Sequence, residues 1–563
     1  MIVRPGCVVR GAGVRGVRRR EADEAASLAA RPGGRAGRGF TLAIGLAASL
    51  VAWGGARGGY GQPPATGQPS QAGGPAEDAS ALSARYQFRE LYSETPGKPG
   101  GVLNLYRVAS RESITVKQDN PDGAPTVNET SLRSIYTECV AKATKEMADE
   151  VVRNYDSATF KTTAPATTPK IPPLEGMRIV YRLRKESSPA ILCLTHGRRM
   201  SNLEFHQISE QVYLPLLSRM LPRAAARAGD TWPMPLASAR ALLGAMPDDQ
   251  EYDLNVELLE VKKADGSALV AVFGIKGLCL VPQGPSGINA RVEFTFEPAA
   301  PAQRPRPAGL PDATRPAARE GVYEAKGHIS KVSLAQDITT EVPDTDGRLK
   351  NHVHRVVHLE RRLGGGQLVI PNPSPEADVE NSWLAFDDPN GRYHLLYPQD
   401  LEVLHVNAHG VDFASRQMER QDMLRLRLLE KTGDASKDRL AGDPLQRKKW
   451  LEAEWNRNGS KVLPGSVGWL PDANWESIKG KVWRYEAALV PEDAAGGPPV
   501  DRIYLDDYIV QFARGETLQL DATTTSPAHT KFRDEVENMI RNFRLGASPN
   551  TLPAATRQPR PRP

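Results

Sequence analysis

From residue 81 onward the dominant pattern is alternation of apolar and polar positions. RYQFRELY places Tyr86, Phe88 and Glu90 on one side and Arg85, Gln87, Arg89 and Leu91 on the other. RIVYRLRK, YDLNVELLEVKK, ALVAVFGIKG, ARVEFTFEP and HISKVSLAQDITTEV continue the period of two as far as residue 342. Such runs, separated by turn residues, predict an antiparallel sheet with one wet face. Helical spacing interrupts them over 205–221 (FHQISEQVYLPLLSRML), and a second helix is expected over about 131–153. The expected arrangement is a curved sheet with a helix across its concave face. In LPRAAARAGDTWPMP, Gly229 and Asp230 supply a turn, after which Trp232 enters the sheet or core.

The pattern changes after residue 380. GRYHLLYP reads as a strand with Tyr393, Leu395 and Tyr397 on one face, stopped by Pro398, and Asp388 to Gly391 form the turn before it. DRIYLDDYIVQFA is apolar on both faces, and a strand of that kind needs cover on both sides. Two helices can provide it. One starts at Asp443-Pro444, a capping residue followed by a first-turn proline, and carries Leu445, Leu451 and Trp455. The other starts at Ser526-Pro527 and lines up Phe532, Val536, Met539, Ile540 and Phe543 as one apolar stripe.

Gly, Pro, Gln and Ser-rich stretches divide the chain because they lack the apolar area to offset ordering entropy. The expected organisation is a leader over 1–56, a disordered linker over 57–80, and a mainly antiparallel β domain over 81–362 with a disordered insertion at 299–320. A linker over 363–380, an α/β domain over 381–545 and a disordered tail over 546–563 complete it.

The order FDDPNGRYHLLYPQDLEV, VDFASR, GWLPDANW, GKVWRYEAALV, DRIYLDDYIVQF and FRDEVENMIRNFRL resembles the landmarks of the PsbP/Mog1-like superfamily across about 160 residues. That resemblance implies an α-β-α sandwich acting by binding proteins or assemblies, with no shared catalytic residues to carry over. The segment 421–459 is longer than that pattern. The strands and covering helix of the first domain are similar, more distantly, to the half-open barrels of periplasmic lipoprotein carriers. The fold class expected is therefore α+β: an antiparallel β domain followed by a PsbP/Mog1-like sandwich.

Composition refines this picture at the amino terminus. Residues 1–56 hold nine Arg against Glu21, Asp23 and Glu24, a net of +6, which leaves −1 of the total +5 for the rest. The body of the chain thus has no overall basic bias toward phosphates, and nucleic acid is not expected as a partner. The Arg-rich leader precedes Phe40 to Trp53, a mainly apolar run of fourteen residues, and then Gly54, Gly55 and Ala56. This is the order of a secretory signal peptide cut after Ala56. As a helix the run rises only about 21 Å, short of a bilayer core of roughly 30 Å, so an uncleaved anchor is the alternative rather than the expectation. The expected location is periplasmic or secreted, without a stable membrane span after cleavage. Cys139, Cys193 and Cys279 remain beyond the leader; Cys193 and Cys279 either pair or stay as buried thiols.

Motifs for catalysis are missing. The sequence has no Gly-x-Ser-x-Gly elbow, no His-Glu-x-x-His, no phosphate-binding Gly-x-x-x-x-Gly-Lys and no dinucleotide glycine fingerprint after a strand; Ser286 and Ser466 sit in ordinary Gly-bounded turns. In NHVHRVVHL, His352, His354 and His358 share one strand face, where adjacent positions lie about 6.6 to 7 Å apart, within reach of one metal ion. A solvated strand face is the simpler reading. Asp506 and Asp507 point to opposite faces of their strand and cannot act together; Arg or Lys partners, or a bulge, account for them. Trp469, Trp475, Trp483 and Tyr485 read as core. The expectation is an exported, non-enzymatic bacterial protein without a cofactor that binds a protein or a hydrophobic ligand. The alternative is a lipid or lipoprotein carrier with a cavity in the first domain, and a third reading is a metal-dependent hydrolase centred on the histidine strand. An apolar pocket of several hundred Å³ beneath the helix would mark the carrier, and a filled core would mark a scaffold.

Overall fold

The computed structural model describes residues 84–90, 104–119, 124–143, 148–163, 174–183, 189–244, 251–264, 266–281, 284–298, 322–344, 347–365, 368–371, 374–416, 422–429, 443–457, 460–469, 480–491, 503–512, 515–525 and 529–546. The expected leader, the linker 57–80, the insertion 299–320 and the tail beyond Gly546 lie outside them. The described chain is mostly antiparallel β with few helices. It forms two compact units. The larger holds the described residues up to Glu402 together with Arg416 and the chain from Phe543; the smaller holds Val403–Ser415 and the described residues from Asp422 to Asn542.

In the larger unit the chain begins with β1 (Arg85–Glu90), β2 (Leu105–Gln118), β3 (Thr126–Ala143), β4 (Ala148–Thr162), β5 (Arg178–Arg182) and β6 (Ala190–Cys193). A helical segment follows, with β7 (Met200–Ser201), α1 (Asn202–Ser209), α2 (Leu214–Leu217), β8 (Thr231–Pro233) and α3 (Leu236–Leu243). The chain returns through β9 (Glu251–Lys263), β10 (Leu269–Val281), β11 (Gly284–Pro298), β12 (Val322–Asp344) and β13 (Gly347–Leu363). These strands make a twelve-stranded sheet in the order β6-β5-β4-β3-β2-β13-β12-β11-β10-β9-β8, with β1 added parallel to the start of β12. Every other neighbouring pair in it is antiparallel.

The helical segment covers one face, termed inner here. Tyr86, Phe88, Phe273, Phe294 and Phe296 pack on that face with ring centroids 5.2 to 6.1 Å apart. Edge-to-face geometry among them adds about 0.5–1.5 kcal/mol per pair to the area they bury. Trp232 on β8 meets Phe273 and donates its indole N–H to Met220 O at 2.7 Å, as its place after the Gly229 turn suggested. On the outer face Leu368 and Ile370 pack against Ala141, Val152, Val180 and Leu192. Arg182 donates to Ser374 Oγ at 3.0 Å, Ser374 donates to Glu150 at 2.6 Å, and Arg199 donates to Val379 O at 2.8 Å. The described part of 363–380 therefore lies against the sheet.

Two helix expectations need correction. The described residues of 131–153 are not helical: 131–143 belong to β3 and 148–153 to β4, since SIYTECV, rich in β-branched and aromatic residues, joins a sheet whose neighbours satisfy its backbone. The helix over 205–221 starts earlier and breaks. Ser201 caps α1 by a reciprocal pair with Glu204, the capping-box pattern. Pro215 restricts Leu214 and lacks an N–H, so α2 is a separate turn, followed by a 3₁₀ turn at Ser218–Met220.

After α4 (Val379–Ser382), the strands β14 (Trp383–Asp387) and β15 (Tyr393–Pro398) form a small sheet with β7 and with β23 (Arg544–Leu545). Tyr393, Leu395 and Tyr397 are all buried, and Tyr393 stacks on Phe543 at 5.2 Å. The turn before them is built by Asp388, whose carboxylate accepts from the backbone N–H of Asn390 and Arg392 and from the Arg392 guanidinium at 2.7 Å, with Gly391 at φ +68°.

The smaller unit contains β16 (Leu401–Val406) from Val403 on, β17 (Gly410–Ser415), β18 (Met423–Leu429), α5 (Pro444–Arg457), β19 (Ser460–Trp469), β20 (Gly480–Pro491), β21 (Ile503–Phe512), β22 (Thr517–Thr524) and α6 (His529–Asn542). Its sheet runs β16-β17-β18-β22-β21-β20-β19. Asp443 caps α5 through the N–H groups of Leu445 and Gln446. Leu451 is buried with Tyr485, Ala487 and Leu505, but Leu445, expected in the same stripe, is 63% exposed. The apolar stripe of α6 is buried at Phe532, Val536, Met539 and Ile540. Ser526 and Pro527, its expected start, lie outside the described residues, as does Trp475.

Candidate functional site

The inner face of the large sheet carries charge where its parity suggests only apolar packing. On β13, Arg355 and Arg361 alternate with Val353, Val357 and Leu359, and all five are buried. Arg361 bonds Glu90 on β1 at 2.5 Å and lies 3.6 Å above the Tyr106 ring. Burial pushes the Glu90 carboxyl up from its ordinary value while the Arg361 charge works the other way. Arg153 on β4 donates to Glu138 at 2.8 Å, to the Tyr181 hydroxyl at 2.9 Å and to Gln211 at 3.1 Å, over the ring of Tyr136 at 4.0 Å. Register explains these meetings: Glu138 lies opposite Arg153, and Tyr136 opposite Tyr155. Two arginines thus share Glu138, with Glu90 as the second anion, and the cluster balances its charge within the fold.

Arg355 does something different. Its Nε bonds Glu112 on β2 at 2.6 Å. Its other nitrogens reach the helical cover, donating to Glu210 O at the end of α1 (2.8 Å) and to Leu243 O at the end of α3 (2.9 Å). The last carbonyls of a helix have no partner within it and carry the negative end of its dipole, so one guanidinium holds two helix ends to the sheet. The ends meet closely. Gly244 has φ +97°, and a Cβ there would stand 3.0 Å from the Glu210 backbone, so glycine is required. Arg416 fixes the start of α1: it donates to Asn202 at 3.1 Å, lies 4.9 Å above Phe205, and also bonds Gln399 O.

At the edge of this cover a cleft of about 20 Å³ lies between α1 and strands β2 to β4. That is room for about one water-sized group. Elsewhere under α1–α3 the described inner face is occupied by buried side chains such as Phe205, Ile208, Leu217 and Leu242. Those side chains fill the interior where they stand.

The histidine strand is exposed on the outer face. His354 meets Asp337 at 2.6 Å, His352 lies 3.3 Å from Asp119, and His358 lies 3.3 Å from Ser333 Oγ. Among the described residues no group of three or more His, Cys, Asp or Glu could hold a metal ion. Cys139, Cys193 and Cys279 are buried free thiols, so Cys193 and Cys279 do not pair. Burial pushes the Cys139 thiol up to about 12, far from a reactive thiolate. His328, beside Tyr106, is held down to about 4 by burial and then by Arg361, and stays neutral. Ser286 is buried and accepts from Gln336.

In the smaller unit Asp506 and Asp507 do part company across the strand. Asp506 bonds Arg533 of α6 at 3.1 Å, and Asp507 bonds Arg447 of α5 at 3.2 Å. Sequence reasoning missed that Asp507 lies opposite Asp521, which Arg447 also bonds at 2.7 Å. Burial, then the neighbouring Asp521, drives the Asp507 carboxyl well above its ordinary range, so the proton rests there. Burial opposes ionisation of Asp521 too, but the hydrogen bond from Asp507 and the charge of Arg447 bring it below its ordinary value. The pair is used up in holding a helix. Arg153, Arg355 and Arg361 were also missed, though one signal was legible: each shares strand parity with buried apolar residues.

No helix among the described residues is long and apolar enough to cross a membrane. No protein-family model matches the chain, and no curated protein matches it. Similar solved structures include the Ran-binding protein Mog1p of Saccharomyces cerevisiae, at 7% identity over 29% of this chain and 96% of that one, TM-score 0.22. Lipovitellin is similar at 10% identity over 50% of this chain and 27% of its own, TM-score 0.26. A LolA-superfamily protein of Nitrosomonas europaea is similar at 9% identity over 46% and 87%, TM-score 0.12. At these TM-scores none of the three establishes a shared fold.

Proposed function

We propose that this is an exported, non-enzymatic binding protein whose larger unit takes an apolar ligand, or an apolar segment of a partner, between the helical cover and the inner face of the sheet. The observation that carries this reading is the attachment of the cover. α1, α2 and α3 have eight, four and eight residues, too short to be stable as isolated helices. Their adhesion rests on apolar packing that an apolar ligand can replace and on a few polar bonds, those of Arg355 to Glu210 O and Leu243 O, of Arg416 to Asn202 and of Arg153 to Gln211. The basic and apolar order of the leader supports export. A sheet with α5 bonded to Asp507 on one face and α6 bonded to Asp506 on the other supports a PsbP/Mog1-like smaller unit, a protein-binding module in this reading.

The filled interior favours a second reading, a scaffold whose inner face is ordinary core. Titration with the neutral probe N-phenyl-1-naphthylamine separates the two. The wild type is expected to bind it saturably, and Arg355→Met to bind it about tenfold more tightly, because a cover that opens more often raises apparent affinity in proportion. Circular dichroism confirms that the variant remains folded. Absence of saturable binding by both proteins would leave the scaffold.

A further inference from the structure

The cleft at the edge of the cover has one chemical character. On its α1 side stand Gln207 and Glu210; on the sheet side stand Glu112, Ile114, Leu132 and Phe160. Gln207 is only 3% exposed, yet its Oε1 has no hydrogen-bond partner. A buried amide oxygen left bare is uncommon and calls for a donor. Glu112 gives one carboxylate oxygen to Arg355 at 2.6 Å. The cleft adjoins the carbonyl end of α1, where the helix dipole is negative. His206 lies 3.6 Å from Glu210.

Register sets out the rest. Glu112 is directly opposite Leu132 on β3, and Leu132 is directly opposite Phe160 on β4. A carboxylate and two half-buried apolar side chains therefore form one row across three strands, spaced about 4.8 Å from strand to strand. Ile114, in the next row, leads into a buried apolar group with Val116 and Val353.

We propose that the cleft seats the ammonium end of an apolar primary amine. The N–H groups face Gln207 Oε1 and the Glu112 carboxylate, and the hydrocarbon body lies along Leu132 and Phe160. This rests on the reading that the larger unit binds apolar ligands and adds the chemistry of the head group. A space of about 20 Å³ admits a head no larger than ammonium, which excludes quaternary amines from the seat.

The test is displacement of bound N-phenyl-1-naphthylamine from the full chain by decylamine, decanol and decanoate at one ionic strength. Decylamine is expected to act at about tenfold lower concentration than decanol, with decanoate weakest, since hydrogen bonds to a charged donor are worth at least that factor. Gln207→Leu, close in volume, and Glu112→Gln should each reduce the preference for the amine over decanol measured on the same variant; retained decanol binding shows that each variant is folded. Equal displacement by the three compounds, or an unchanged preference in both variants, overturns the ammonium seat and leaves apolar binding standing. A probe that never binds overturns both.

Discussion

The two units solve the burial of charge in opposite ways. In the larger one, helices cover a single face of a long sheet, and the charges beneath them, Arg153, Glu138, Arg361 and Glu90, bond mainly strand to strand. The other face stays wet where His352, His354 and His358 stand. In the smaller one, adjacent residues of a single strand anchor helices on both faces, Asp507 to α5 and Asp506 to α6. Its buried charges tie helices to strands; in the larger unit Arg355 plays that part at the ends of α1 and α3, and Arg153 reaches Gln211 just beyond α1. A charge bonded within a sheet holds the sheet together; a charge bonded to a helix decides whether that helix can leave. This difference is why the cover of the larger unit, held by a few side chains such as Arg355, Arg416 and Arg153, is the place to look for ligand-dependent movement.

The sharpest way to break the comparison is to remove the sheet-internal charge. Arg153→Ala should cost about 3–5 kcal/mol in chemical denaturation, because it strands the fully buried Glu138. A loss within the range of a surface site would mean that Glu138 is served by Arg361 alone. The next effect is one of pH. The Asp507 carboxyl is raised in the folded state, so the folded protein holds a proton that the unfolded chain releases above the ordinary value of 3.8. Stability from this group is complete below that pH and declines as pH rises toward the folded value. Asp507→Asn removes the titration, and its denaturation midpoint should fall less between pH 5 and pH 9 than that of the wild type; parallel curves would count against a shared proton. The smallest effect belongs to the wet face. His354 pairs with Asp337, but both side chains are more than half exposed, so His354→Ala should change stability by about 0–1 kcal/mol. A larger loss would show that the outer face is covered in solution.

Much of the fold was legible because periodicity is local. The face parity of Tyr86 and Phe88, the cap at Asp443, the turn from Asp388 and the burial of Leu395 all follow from residues within a few positions of each other. The candidate site was less legible, because Arg355 looked like one more polar residue in NHVHRVVHL. Its parity with Val353 and Val357 was readable, but its partners at Glu112, Glu210 and Leu243 are more than 100 residues away in the chain.

The sequence by itself determined the strand-rich character, the positions of the turns, the faces on which apolar residues gather and the lack of a known catalytic motif. Those properties depend on side-chain spacing along one segment and on local backbone preference. Only the tertiary structure decided that 131–143 and 148–153 are strand, that β1 pairs in parallel with β12, and that Asp507 faces Asp521. It also decided that Arg153, Arg355 and Arg361 are buried and which oxygens they reach. Strand pairing sets these outcomes through register, which brings together residues whose separation in sequence carries no periodic signal, and burial then raises the energy of every charge that register has not matched.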